Sequence, residues 1–187
     1  MTLLEKLYTP YKLKRVERQG KVGQRNETTA EHVFSSITLA QYFLKKYPDI
    51  NELKVLKLIV YHDYGEIHAG DTGVLNTKER AQKALLEARA FCQLEKELPE
   101  EIAKDMKEAW EEYEENKTRE AQFVHAIDAL DPILHSIYQP EEWKANGFTE
   151  KKLRTVKEPR LREFPQLMEF FEELVTELRK RNIIPKE

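Results

Sequence analysis

Apolar residues recur along the chain at intervals of three and four, the period of a helix that buries one face. Thr28 followed by Glu31 has the capping-box pattern and opens a predicted helix with Val33, Ile37, Ala40, Leu44 and Tyr47 on its apolar side, ended by Pro48. A second helix starts near Glu52 and carries Leu53, Leu56, Ile59 and Val60. It runs into His62-Asp63-Tyr64-Gly65-Glu66, with Gly70 as its stop. Asn76 with Glu79 repeats the capping signature ahead of Ala81, Leu85, Ala88, Phe91 and Cys92. Pro99 suits the first turn of the next helix, whose stripe is Ile102, Met106, Ala109 and Tyr113. Val124, Ile127, Leu130 and Leu134 mark another helix. Pro132 offers no amide proton to the Asp128 carbonyl and should kink or interrupt it. The stretch from Pro140 to Pro159 reads as less regular, and a last helix after Pro165 aligns Leu167, Phe171, Leu174 and Leu178. No repeat, low-complexity tract or convincing strand stands out. The pattern predicts an all-α bundle of roughly seven or eight helices.

Composition narrows the function classes. At 187 residues the chain fits one domain, 1–187, with one core. Hydrophobic residues at 40% and charged residues at 35% mark it as globular, with much of the charge on solvated helix faces. A net charge of −3 gives no general footprint for gripping a nucleic acid polymer, although one phosphate needs only a local basic pocket. Cys92 is the single cysteine, so an internal disulfide and a thiolate zinc cluster are excluded. With no apolar run of membrane-spanning length and no signal-peptide pattern, a cytoplasmic protein without membrane attachment is expected.

Chemistry concentrates at a few positions. Asp128 lies in the apolar run Phe123-Val124-His125-Ala126-Ile127-Asp128-Ala129-Leu130, where a bare carboxylate needs a cation or strong hydrogen bonds. His62 and Asp63 are adjacent, so on a helix they point about 100° apart and can converge only on a point between helices. His32 falls in the first turn of its helix. One metal ion would neutralise both aspartates and take two neutral imidazoles as donors, leaving positions open for water and substrate. Taken alone, a His-Asp pair reads equally as packed or solvated side chains. Glu66 and Asp71, the latter directly after Gly70, add carboxylates at the right distance along the chain.

The ordered set Glu31-His32, His62-Asp63-x-x-Glu66, Gly70-Asp71 and Asp128-x-x-Asp131 resembles the HD-domain metal-dependent phosphohydrolases. It is most similar to the branch of the 5′-deoxynucleotidases and oxetanocin-type enzymes. The likeness also takes in Leu13-Lys14-Arg15-Val16-x-Arg18-x-Gly20 and Arg25-x-Glu27-Thr28, and its motif-bearing core runs from residue 13 to about 136, with C-terminal helices packed on it. The resemblance implies a nucleotide substrate and one divalent metal ion (Mn, Co, Fe, Ni or Zn) on His32, His62, Asp63 and Asp128. It implies Glu66 as the residue that activates or orients water, and Asp71 as a carboxylate behind the ligands or touching substrate. Arg18 becomes a phosphate contact, with Arg25 and Lys78 as further candidates, and a homodimer is expected.

Two departures bear on specificity. The deoxynucleotidases carry an aromatic residue, usually tryptophan, close after the arginine matching Arg18, whereas Gln19, Gly20 and Lys21 follow here. The family often has lysine three residues before its last metal ligand, where this chain has His125, making any phosphate contact there sensitive to pH. Blander expectations cover the rest: His68 at a helix end, His135 packed, and Asp131 hydrogen-bonded near the site. Trp110 and Trp143 read as core or interface aromatics, and Glu111-Glu112-Tyr113-Glu114-Glu115 as a solvated helix end. The favoured reaction is hydrolysis of nucleoside 5′-monophosphates to nucleoside and phosphate. The rival readings are a hydrolase of nucleoside triphosphates or of a cyclic or alarmone nucleotide, a non-catalytic nucleotide sensor, and a structural helical module.

Overall fold

A computed structural model of the protein describes residues 1–71, 77–145 and 147–185, without the side chains of 77–85, 87, 142 and 145. A short α1 (Leu3–Tyr8) and a 3₁₀ turn (Thr9–Arg15) lead into a small antiparallel hairpin, β1 (Glu17–Val22) and β2 (Arg25–Thr28). No strand was expected there. The ladder pairs Lys21 with Asn26 and Val22 with Arg25 around Gly23, whose φ of +62° suits glycine. Its side chains are mostly polar, so the hairpin leaves little hydrophobic signature.

Thr28 and Glu31 cap α2 (Thr29–Leu44) reciprocally, as the sequence indicates. The helix ends at Leu44, ahead of Pro48. Tyr47 nevertheless stays in the core, edge-on to Phe123 and Phe164, and its hydroxyl accepts from the Gln166 amide at 3.1 Å. α3 (Glu52–Tyr61) stops before the expected His62–Glu66 continuation. The chain turns through residues 62–65 and begins a separate short α4 (Glu66–Ala69), closed by Gly70 at φ +73°. The expected face of α3 also shifts: Leu53 is 75% exposed, and Val55, Leu58 and Ile59 are the buried positions.

α5 (Thr77–Glu97) and α6 (Glu100–Glu115) form an antiparallel pair around Phe91, Leu94, Leu98, Ala103 and Met106, with Phe91 stacked on Trp110 at 4.3 Å. Cys92, expected on the buried stripe, is exposed. Asn76, the residue expected to cap α5, and the segment 72–75 lie outside the described residues. A Cβ at Gly65 would come 2.7 Å from the Phe91 ring, which explains a glycine in the turn beside α5.

α7 (Arg119–Tyr138) is the central rod. It buries Phe123, Val124, Ala126, Ile127, Leu130 and Ile133 against α2, α3, α6, α9 and α10. It is apolar nearly all round, as a helix enclosed by others must be. Contrary to expectation it passes through Pro132 without a break, because packing on every side outweighs one missing backbone hydrogen bond. α8 (Glu141–Ala145) follows. The stretch expected to be irregular contains α9 (Glu150–Leu161), capped by Thr149, with Pro159 in its last turn. α10 (Pro165–Lys180) buries the expected Leu167, Phe171, Leu174 and Leu178. Seven helices of ten or more residues account for the bundle among the described residues, and the fold is all-α apart from the hairpin.

Candidate metal centre

Three elements of the core converge on one point. The Thr28–Glu31 cap fixes the start of α2, so His32 in its first turn faces inward and is fully buried. The end of α3 and the turn after it present His62 and Asp63 from two directions, and α7 contributes Asp128 and Asp131 one turn apart. His32, His62 and Asp63 each offer one donor atom, all within 4.8 Å of one another. Asp128 Oδ1 lies 3.3 Å from His32 Nε2, and Asp63 Oδ2 lies 3.2 Å from His62 Nε2 and 3.7 Å from His32 Nε2.

The imidazole tautomers carry the fit to a cation. His32 Nδ1 lies 2.7 Å from Asp131 Oδ2, and His62 Nδ1 lies 2.8 Å from the Ile59 carbonyl oxygen. Both acceptors need a proton on Nδ1, which turns the lone pair of each Nε2 toward the aspartates. Both Nε2 atoms are buried and have no hydrogen-bond partner among the described residues. Two lone pairs aimed at two carboxylates repel unless a positive charge sits between them. A metal ion fits that requirement, and without one the cluster must take up protons. Burial and Arg18 oppose a charge on His32, but the Asp128 and Asp131 carboxylates on either side of the ring prevail and push it up to about 10. Burial opposes charge on both aspartates too, yet His62 holds Asp63 low and His32 holds Asp128 well below the usual carboxylate range.

Other expected residues gather around this centre. Arg18, on β1, reaches Asp63 Oδ2 at 3.4 Å through a terminal nitrogen and Glu27 Oε2 at 3.6 Å through Nε. Its charge also faces Asp71, Glu66 and Asp128, which together outweigh its burial and keep it firmly protonated. Glu66 begins α4 and is buried, its Oε2 accepting from the Thr29 hydroxyl at 2.7 Å. Burial first, then Asp63 and Asp71, push it up to about 9 against Arg18. Asp131 hydrogen-bonds as expected. His135 is tied to the hairpin, with Nε2 2.8 Å from the Lys21 carbonyl and Nδ1 3.4 Å from Glu27 Oε1.

Arg25 is not brought to this centre. It pairs with Glu31 on the protein surface, where a capping carboxylate already fixes its partner. The side chain of Lys78 lies outside the described residues. His125 turns from the cluster: its ring stacks on Tyr113 at 3.9 Å, its Nε2 meets the Tyr113 carbonyl at 3.0 Å, and burial holds it below its ordinary value. Tyr113, expected only as a packing residue, lies 5.2 Å from the His62 ring. Two cations of α9 were missed altogether. Arg160 reaches Asp128 Oδ2 at 3.3 Å, and Lys157 is buried in the field of Asp128. Their three-residue spacing after a Thr149 cap was the available signal, masked by Pro140 and Pro159.

The sequence model of the HD-domain family matches residues 11–168. The curated 5′-deoxynucleotidase HDDC2 of Homo sapiens is 33% identical over 147 residues, 76% of this chain and 71% of that protein. Its counterpart in Bos taurus is 33% identical over 137 residues, 72% of this chain and 66% of that protein. The chain thus spans about two thirds of the length of these relatives. A crystal structure described as a predicted metal-dependent phosphohydrolase from Magnetospirillum magnetotacticum MS-1 has a TM-score of 0.83 to this chain. It covers 97% of each chain at 28% identity.

Proposed function

The chain belongs to the HD-domain family, and from that premise and the geometry of the centre we propose that it hydrolyses nucleoside 5′-monophosphates to nucleoside and inorganic phosphate with one bound divalent metal ion. The observation that carries this reading is the pair of buried, unpartnered Nε2 atoms of His32 and His62, aimed at Asp63 and Asp128 with their tautomers set from behind. The names of the relatives, 5′-deoxynucleotidases, support the substrate class. His32, His62, Asp63 and Asp128 are the residues that hold the ion. A first-row transition ion in such a set of nitrogen and oxygen donors supplies a Lewis acid for the phosphoryl oxygens and makes a water acidic enough to attack near neutral pH.

The chain's own residues do the rest. Glu66, in its buried corner beside Asp63, is placed to accept the proton of the attacking water, in the carboxylate form that a bound cation would favour. The Thr29 hydroxyl orients its carboxyl group. Arg18 is held between Glu27 and Asp63 with its charge intact, and it offers charge-assisted hydrogen bonds to the phosphate. Asp71 balances Arg18 at the same wall. The reading takes residues 1–187 as one HD domain working as a homodimer in the cytoplasm, as the resemblance implies. Among the described residues no helix is long and apolar enough to cross a membrane. A phosphate-release screen over nucleoside mono- and triphosphates and cyclic nucleotides tests the substrate, with monophosphates expected to turn over best. Preference for a triphosphate or a cyclic nucleotide would replace this reading with its rival.

A further inference from the structure

Lys157 is 5% exposed, and among the described residues it makes no hydrogen bond and no ion pair. The stem is buried while Nζ, which is not among the buried unpartnered atoms of the described residues, keeps a contact with solvent, so the ammonium is held beside the centre without a fixed partner. The charged groups that face it are Asp128, Arg160, Arg18 and Asp131, all belonging to the wall of the metal centre. Lys157 and Arg160 stand three residues apart on α9, hence on one face of that helix, and Arg160 touches Asp128 Oδ2 at 3.3 Å. The centre is therefore approached by cations from two sides. Arg18 comes from the hairpin onto Asp63, and Arg160 comes from α9 onto Asp128 with Lys157 one turn before it. His125, the residue of α7 that could have supplied charge on the Asp128 side, is turned to the Tyr113 carbonyl.

Resting on the phosphohydrolase reading, we propose that Lys157 and Arg160 form a second anion-holding wall, which binds the phosphoryl oxygens of the substrate and then the phosphate product from the side opposite the Arg18 contact. The anion gives the ammonium a fixed partner in place of water. A lysine suits this task because its compact charge binds phosphate as a point, while the Arg160 fork supplies direction.

The test uses Lys157→Met, an unbranched apolar side chain of similar length that keeps the packing of the buried stem and removes only the charge. Metal-loaded wild type, Lys157→Met and Lys157→Arg are compared for metal content, for KM and kcat on a nucleoside 5′-monophosphate, and for inorganic phosphate binding by calorimetry. The expected result is unchanged metal content, with phosphate affinity weakened and KM raised by about tenfold or more in Lys157→Met. Lys157→Arg should recover part of both. Parental KM and phosphate affinity in Lys157→Met would overturn the proposal, as would loss of metal from that variant. Phosphate binding needs no turnover. A wild type that hydrolyses no nucleotide, yet binds phosphate in a Lys157-dependent way, would therefore sink the proposed function and leave this wall standing.

Discussion

Asp131→Asn probes the centre at its most enclosed contact. Asp131 is 4% exposed and its Oδ2 lies 2.7 Å from Nδ1 of the fully buried His32. Asparagine keeps the shape and one acceptor oxygen but removes the charge. Two magnitudes follow. With metal bound, Asp131 fixes the tautomer of His32 and strengthens it as a donor, and loss of such a partner weakens metal affinity by about 10- to 100-fold. Without metal, His32 is an imidazolium held by Asp128 and Asp131, raised from 6.5 to about 10. That rise is what remains after burial and Arg18 have been overcome, and taking one charge from such a buried pair costs about 3 kcal/mol or more. The sign is set by the raised value. This stability is complete below the unfolded histidine value near 6.5 and is lost as pH climbs through about 10. Urea unfolding of chelator-treated protein across that range, with metal affinity from chelator competition, reads both effects. The gap between wild type and variant should be widest below pH 6.5 and closed above about 10. A variant that binds metal like the wild type, or a stability gap that widens with pH, would refute the reasoning.

Three further outcomes are expected. Glu66→Gln should retain metal and substrate affinity while turnover drops by roughly a hundredfold or more in single-turnover phosphate release; parental turnover would remove Glu66 from proton transfer, and loss of metal would move it among the ligands. Discrimination between deoxyribo- and ribonucleoside monophosphates should stay below about a thousandfold, because a pocket without a steric block rejects an added hydroxyl only modestly. Gln19 after Arg18 is exposed, and Gly20 packs so closely that a Cβ would meet His135 Nε2 at 3.2 Å; ratios of kcat/KM decide this. Leu58→Ala should cost about 2–5 kcal/mol in urea melts while Leu53→Gln stays within about 0.5 kcal/mol, since Leu58 is 1% exposed and Leu53 75%; equal losses would mean that the face of α3 is misplaced.

The bundle was legible because burial imposes the helical period, and the Thr28–Glu31 box names the start of α2 outright. What escaped the sequence was tertiary. Pro132 and Pro159 lie within helices, so the rule about a missing amide failed at Pro132, and the stretch from Pro140 to Pro159, expected to be irregular, holds α9. The hairpin is held by backbone pairing between polar residues, which alternation of apolar side chains does not reveal. At the centre, the chemistry of His32, His62, Asp63 and Asp128 could be read from residue types and their order. Their convergence depends on a break that sequence reasoning did not foresee: α3 ends at Tyr61, and the turn to α4 swings Asp63 and Glu66 to one side together. Lys157 and Arg160 were invisible for the same reason as α9 itself, since Pro140 before it and Pro159 within it disguised a capped helix.

The most direct test of the account is a metal titration of chelator-stripped protein, wild type beside His62→Ala, followed by phosphate release from a nucleoside 5′-monophosphate. The account predicts no release from stripped wild type, a rise with added metal that levels off at about one equivalent per chain, and little binding or release in His62→Ala. Stripped protein that releases phosphate at the loaded rate, or His62→Ala that titrates like the wild type, would contradict it.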